Sequence, residues 1–136
     1  MLLNPQQGAE SDDGTHENRI RWLECHDKKV LLLDFSNLFP GETVNSLVEK
    51  AKSIIHVQPP KSVLTLFDAT DVHFDRESMQ LMKDFAATNK PYVRAGSVVG
   101  VKGLLVMFLN AVNKFAGRDL KPCNTREEAL DWLTRL

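Results

Sequence analysis

A basic excess is missing from this chain. Its 17 Lys and Arg stand against 18 Asp and Glu, for a formal net charge of −1, which argues against a nucleic-acid partner. Long apolar runs are missing too. The longest, Leu104 to Leu109, falls far short of the ~18 residues a membrane span needs. The opening Met1-Leu2-Leu3 leads straight into Asn4-Pro5-Gln6-Gln7 without a basic segment, so no secretory leader is expected. Cysteine is scarce. Cys25 and Cys123 are far apart in sequence and make no disulfide framework, and a reduced, cytoplasmic setting is expected. Signatures of catalysis are missing as well. There is no Gly-x-Ser-x-Gly elbow and no G-x-G-x-x-G. Gly96 and Gly100 are spaced too closely for a phosphate loop, and no Gly-Lys pair follows them.

What is present is a chain of 136 residues with 43% hydrophobic content, enough for one domain with one core. Residues 1–17 are polar and aperiodic and are expected to form a flexible tail. Residues 18–136 are expected to form the domain. Its centre is Ser62 to Phe67, an almost wholly apolar run bounded by Pro59-Pro60 and Asp68. Such a run fits a strand covered on both faces. Before it, Arg19–Glu24 alternates, with Ile20 and Trp22 as the buried side, and Lys29–Phe35 is more apolar. The short turn His26-Asp27-Lys28 makes these two an antiparallel hairpin.

Val44, Leu47, Val48, Ala51 and Ile55 share one stripe of a first helix. Asp75 is an N-cap for a second, with Phe74 and Met79 placed as a hydrophobic staple and Met82, Phe85 and Ala86 continuing its buried side. Tyr92–Val101 reads as a further strand. A third helix, Lys102–Ala116, is expected to bury Leu104, Leu105, Phe108, Val112 and Phe115. Val106 and Met107 then fall on its wet side, where a solitary surface helix would carry charge. Gly117 suits its C′ position. Asp119–Asn124 is a short strand confined to an edge by Pro122. Thr125 to Glu128 is a capping box for a last helix with Ala129, Trp132, Leu133 and Leu136 on its stripe. The predicted fold class is α/β: a single-layer mixed sheet of about five strands, the first hairpin antiparallel and the rest mainly parallel, with about four flanking helices.

The segments Lys29–Phe35, Gln58 to Leu66, Asn89-Lys90-Pro91-Tyr92-Val93, Val98 to Leu104 and Ala129 to Leu133 together resemble the small SpoIIAA-like proteins. These are relatives of the STAS domains of anti-sigma-factor antagonists and sulfate-transporter tails, with a looser kinship to Sec14-type lipid-binding domains. The resemblance spans roughly Arg19 to Leu136 and implies binding or regulation rather than catalysis. In the antagonists a phosphorylated serine follows an aspartate at the start of the helix after the third strand. Asp75 matches that aspartate, but Arg76 stands in the serine's place and Ser78 comes two positions later.

The residues expected to work are those just past the carboxyl end of the central strand. They are the loop and helix start Asp68, Asp71, His73, Phe74, Asp75, Arg76 and Ser78. A second set, Val106, Met107 and Phe108 with Met79 and Met82, is expected to form an interface or an apolar pocket, methionine being adaptable to irregular partners. Asp34, Asp68 and Asp71 offer oxygen ligands of the kind Mg²⁺ prefers; turn and cap chemistry is the preferred reading. Cys25 and His26 are expected to face opposite sides of a strand. No catalytic residue, metal or cofactor is expected. The leading expectation is a non-enzymatic regulatory or protein-interaction domain, dimeric, with its protein partner unassigned. The alternative is a carrier or sensor of a lipid-like molecule in a pocket between sheet and helices, touching at most a membrane surface.

Overall fold

His26 and Asp27 both take positive φ, 51° and 62°, the two-residue turn whose twist suits an antiparallel hairpin. In the computed structural model, which describes residues 18–136, this turn joins β1 (Ile20–Cys25) to β2 (Lys28–Asp34). The expected tail at 1–17 lies outside the described residues. The chain continues through α1 (Glu42–Ile55), β3 (Val63–Asp68), α2 (Arg76–Asn89), β4 (Val93–Val99), α3 (Leu104–Ala116), β5 (Lys121–Cys123) and α4 (Arg126–Thr134). The five strands form one sheet in the order β1-β2-β3-β4-β5. Only β1 runs antiparallel to its neighbour; β2 to β5 are parallel.

This topology dictates where the helices lie. Each parallel step moves one strand in the same direction, and right-handed crossovers then place every connecting helix on the same face. Leu31, Leu33, Val63 and Val98 meet Val44, Leu47, Val48, Ala51 and Ile55 of α1, Met82 and Phe85 of α2 and Leu109 of α3. The alternate residues Val30, Leu32, Leu64, Leu66 and Val99 meet Ala129 and Leu133 of α4, which follows the last strand and closes the opposite face. The central strand is covered on both sides as expected, with Val63, Leu64, Thr65 and Leu66 buried. At about 25 cal/mol per Å² of apolar surface removed from water, this two-sided coverage makes β3 the strand on which both cores depend.

Three expectations need correction. Trp22 is 39% exposed, because β1 is an edge strand and the helices on its face extend only partly over it; Ile20 alone carries the buried side. In α3 the buried stripe is Leu109, Val112 and Ala116, while Leu104 and Phe115 lie exposed. The helix is rotated relative to the expected stripe because it packs against α2 as well as the sheet. Cys25 and His26 do not diverge. The left-handed turn brings His26 Nδ1 to 3.4 Å from Cys25 Sγ and 2.9 Å from Thr134 Oγ1 of α4. Two glycines are required by close approach. A Cβ on Gly100, whose φ is +81°, would lie 2.5 Å from the Thr70 backbone nitrogen. The other is Gly96, described below.

Candidate functional site

The register of β2 on β3 sets Asp34 opposite Asp68. Both carboxylates share parity with Leu32 and Leu66, so both emerge on the α4 side. The first residue of α4 meets them there. Arg126 Nη2 lies 3.1 Å from Asp34 Oδ2, and Nε donates to Asp68 Oδ2 at 2.8 Å. Their remaining oxygens are also engaged. Asp34 Oδ1 accepts from the Ser36 hydroxyl at 2.6 Å and its amide at 3.0 Å, and Asp68 Oδ1 accepts from the Thr70 amide at 2.9 Å. Burial opposes ionisation of Asp34, but the Ser36 hydrogen bonds and the Arg126 charge outweigh it and hold its carboxyl below the usual range. Burial likewise opposes the charge on Arg126, and its hydrogen bond to Asp68 and the Asp34 charge more than restore it. Asp71, exposed and at φ 53°, does not join them. Among the described residues no group of three or more His, Cys, Asp or Glu is arranged to hold a metal ion.

The expected loop therefore divides. Asp68 is buried in the Arg126 clamp, so it corrects the expectation of a docking residue. Ser78 is corrected in the same way. It is buried, its amide donates to Asp75 Oδ1 and its hydroxyl accepts from the Asp75 amide, each at 2.8 Å. That reciprocal capping satisfies two orphan amides of α2, and the Ser78 amide bond holds the Asp75 carboxyl below its ordinary value. Asp71, His73, Asp75 and Arg76 are exposed. The His73 ring stacks on Phe39 at 4.2 Å between centroids, and Phe74 turns inward to Phe108 of α3 at 5.5 Å.

Phe108 links this loop to the second expected set. On α3, Leu104, Val106 and Met107 are 83%, 45% and 69% exposed, an apolar face turned to solvent. Met79 is half-buried and Met82 buried, so the two methionines of α2 belong to its inner side. Beneath α2 and α3 the packing is incomplete. A cavity of about 90 Å³ lies between these helices and β3 and β4, with Met82, Phe85, Val98, Leu105, Phe108 and Leu109 among its walls. Of the expected pocket residues, Met82 and Phe108 line it; Met79, Val106 and Met107 do not.

Sequence reasoning missed the cavity's polar wall, which is Thr65, Asn89, Ser97 and Arg118. Thr65 was visible as the lone hydroxyl in an apolar strand, and Arg118 as the residue after the helix-ending Gly117, whose φ is 63°. Gly96 lies beneath them. A Cβ there would stand 2.7 Å from Leu120 Cδ2, 2.8 Å from Thr65 Oγ1 and 3.4 Å from Arg118 Nη2, so only a glycine lets these side chains pack directly onto β4.

A mixed sheet with three helices on one face and one on the other defines an α/β domain. More particularly, the fold is SpoIIAA-like. The chain is similar to the 2.25 Å crystal structure of an uncharacterized protein of the DUF3478 family, with a SpoIIAA-like fold, from Shewanella loihica PV-4. The two share 16% sequence identity over 84% of this chain and 91% of that one, with a TM-score of 0.69. At that identity the likeness establishes the fold. No family model and no curated protein matches the sequence.

Proposed function

We propose that the protein is a non-enzymatic regulatory domain that acts by association, through the apolar face of α3. The observation that carries this reading is the exposure of Leu104, Val106 and Met107 on a helix whose opposite side is already packed. Water-exposed apolar side chains grouped on one element mark contact surfaces more often than isolated ones do. The groups best placed for chemistry at the strand ends are engaged in structure: Asp34 and Asp68 by Arg126, and Ser78 by Asp75. The partner we propose is a second copy of the chain. Light scattering on the purified full chain is expected to give a dimer, and Val106→Glu combined with Met107→Lys is expected to give a folded monomer. A monomer for the parent protein at high concentration would retire the idea.

A second reading is favoured by a separate observation, the cavity under α2 and α3. There the domain carries or senses an apolar molecule, and α3 is the element over it. Among the described residues no helix is long and apolar enough to cross a membrane. Native mass spectrometry is expected to detect uptake of an added aliphatic ligand; persistent absence of any adduct would count against a carrier.

A further inference from the structure

The rotation of α3 that carries Leu104 and Phe115 out to solvent also brings them into line. Leu104, Met107, Ala111 and Phe115 recur at i, i+3, i+7 and i+11, the spacing that keeps side chains on one strip of a helix. All four are exposed, the three large ones by 83%, 69% and 57%. Lys83 Nζ of α2 lies 5.9 Å from the centroid of the Phe115 ring, yet more than half of that side chain stays open to solvent. Val106 lies off this strip, roughly 160° around the helix from Leu104.

The strip reads nearly the same from either end. Bulky Leu104 and Phe115 close it, and long Met107 and small Ala111 occupy its middle. The midpoints of both pairs fall at or next to Leu109. A two-fold axis there sets residue i of one copy against residue j of the other, and j against i. We propose that α3 pairs antiparallel with α3 of a second copy along this strip, Leu104 on the partner's Phe115 and Met107 on the partner's Ala111. This rests on the dimer proposed above and names the seam and the direction of its contact. Three features favour the antiparallel sense. Met107 fills the space that Ala111 leaves, whereas a parallel pair sets Ala111 against Ala111 and opens a gap. Opposed helices bring unlike dipole ends together. Lys114 then lies about 14 Å along the axis from its own mate, beyond the ~8 Å screening length of physiological salt, instead of beside it.

The test is disulfide trapping in the full chain, with the linked positions read by peptide mass mapping so that Cys25 and Cys123 are told apart from the new thiols. Antiparallel pairing puts positions 104 and 115 of opposite copies in contact. It holds the two copies of position 104 about 16 Å apart along the axis, out of reach of a disulfide, whose Cα atoms stand within about 7 Å. A mixture of Leu104→Cys and Phe115→Cys chains is therefore expected to link 104 to 115 at least about tenfold more than Leu104→Cys alone links 104 to 104. In light scattering, Met107→Lys should weaken association at least about tenfold and Val106→Glu less than about threefold. All these positions are exposed, so the variants keep the fold. Linkage of 104 to 104 by Leu104→Cys alone, or no linkage in the mixture while the parent is a dimer, overturns the antiparallel seam and leaves the dimer standing. A dimer undiminished by Met107→Lys does the same. A monomeric parent overturns both.

Discussion

The two faces of the sheet are finished to different degrees. Under α4, Val30, Leu32, Leu66, Ala129 and Leu133 are wholly buried, and Arg126 bridges the Asp34 and Asp68 carboxylates, with Arg19 3.7 Å from Asp34 as a second cation. Under α2 and α3 the apolar walls stop short of one another. There Arg118 lacks a counter-ion among the described residues, and α3 turns Leu104, Val106 and Met107 to solvent. Both faces derive from the same alternating strands, so the contrast is not one of hydrophobic content. It lies in whether donors meet acceptors and whether side chains fill the space. Closed packing at native density resists any ligand, whereas ligand sites are concave and lined mainly by apolar side chains with a few polar groups. The face under α4 is closed, and the face under α2 and α3, which carries the larger core, keeps a cavity within it.

The largest expected effect is on the closed side. Leu133→Ala should destabilise the domain by about 3 kcal/mol, measured by urea denaturation. Leu109→Ala, beside the existing cavity, should cost less, about 2 kcal/mol, because its wall already lacks part of its contacts. Equal losses would break the contrast. Arg126→Met should cost about 2 kcal/mol, since it leaves the buried Asp68 unpaired; the figure is discounted because Arg126 itself is partly exposed. Thr65→Val should have the opposite sign and stabilise by up to about 1 kcal/mol, for it removes an unmatched hydroxyl from an apolar wall. A clear loss of stability would mean that the hydroxyl is satisfied.

The last expectation concerns pH. The Asp34 carboxyl is depressed in the folded state, so its contribution is present above the unfolded carboxylate range, near pH 4, and is lost as pH falls through the lower folded value. Asp34→Asn should therefore be less stable than the parent at neutral pH, with the gap closing in acid. A gap that widens in acid would contradict the assignment.

Much of the fold was legible. The stripe Val44, Leu47, Val48, Ala51 and Ile55 is the buried side of α1, Asp75 caps α2, and Pro122 stands on the edge strand β5. Each depends on residues close together in sequence. The third helix was legible only in part, since its length and the exposure of Val106 and Met107 agree with expectation while its inner stripe does not. An almost entirely apolar helix satisfies several rotations equally, and contact with α2 selected one. The clamp and the polar wall were not legible. Arg126 is 58 positions from Asp68, and Arg118 is 32 from Ala86.

What the order of residues settled alone was the identity of the elements and the side each strand buries, because periodicity and capping act over a few neighbouring positions. The meeting of remote groups was decided by the strand register, by the handedness of the crossovers and by the angle at which α3 rests on α2. These are collective outcomes of packing the whole chain, in which no short stretch has enough free energy of its own to dictate the result.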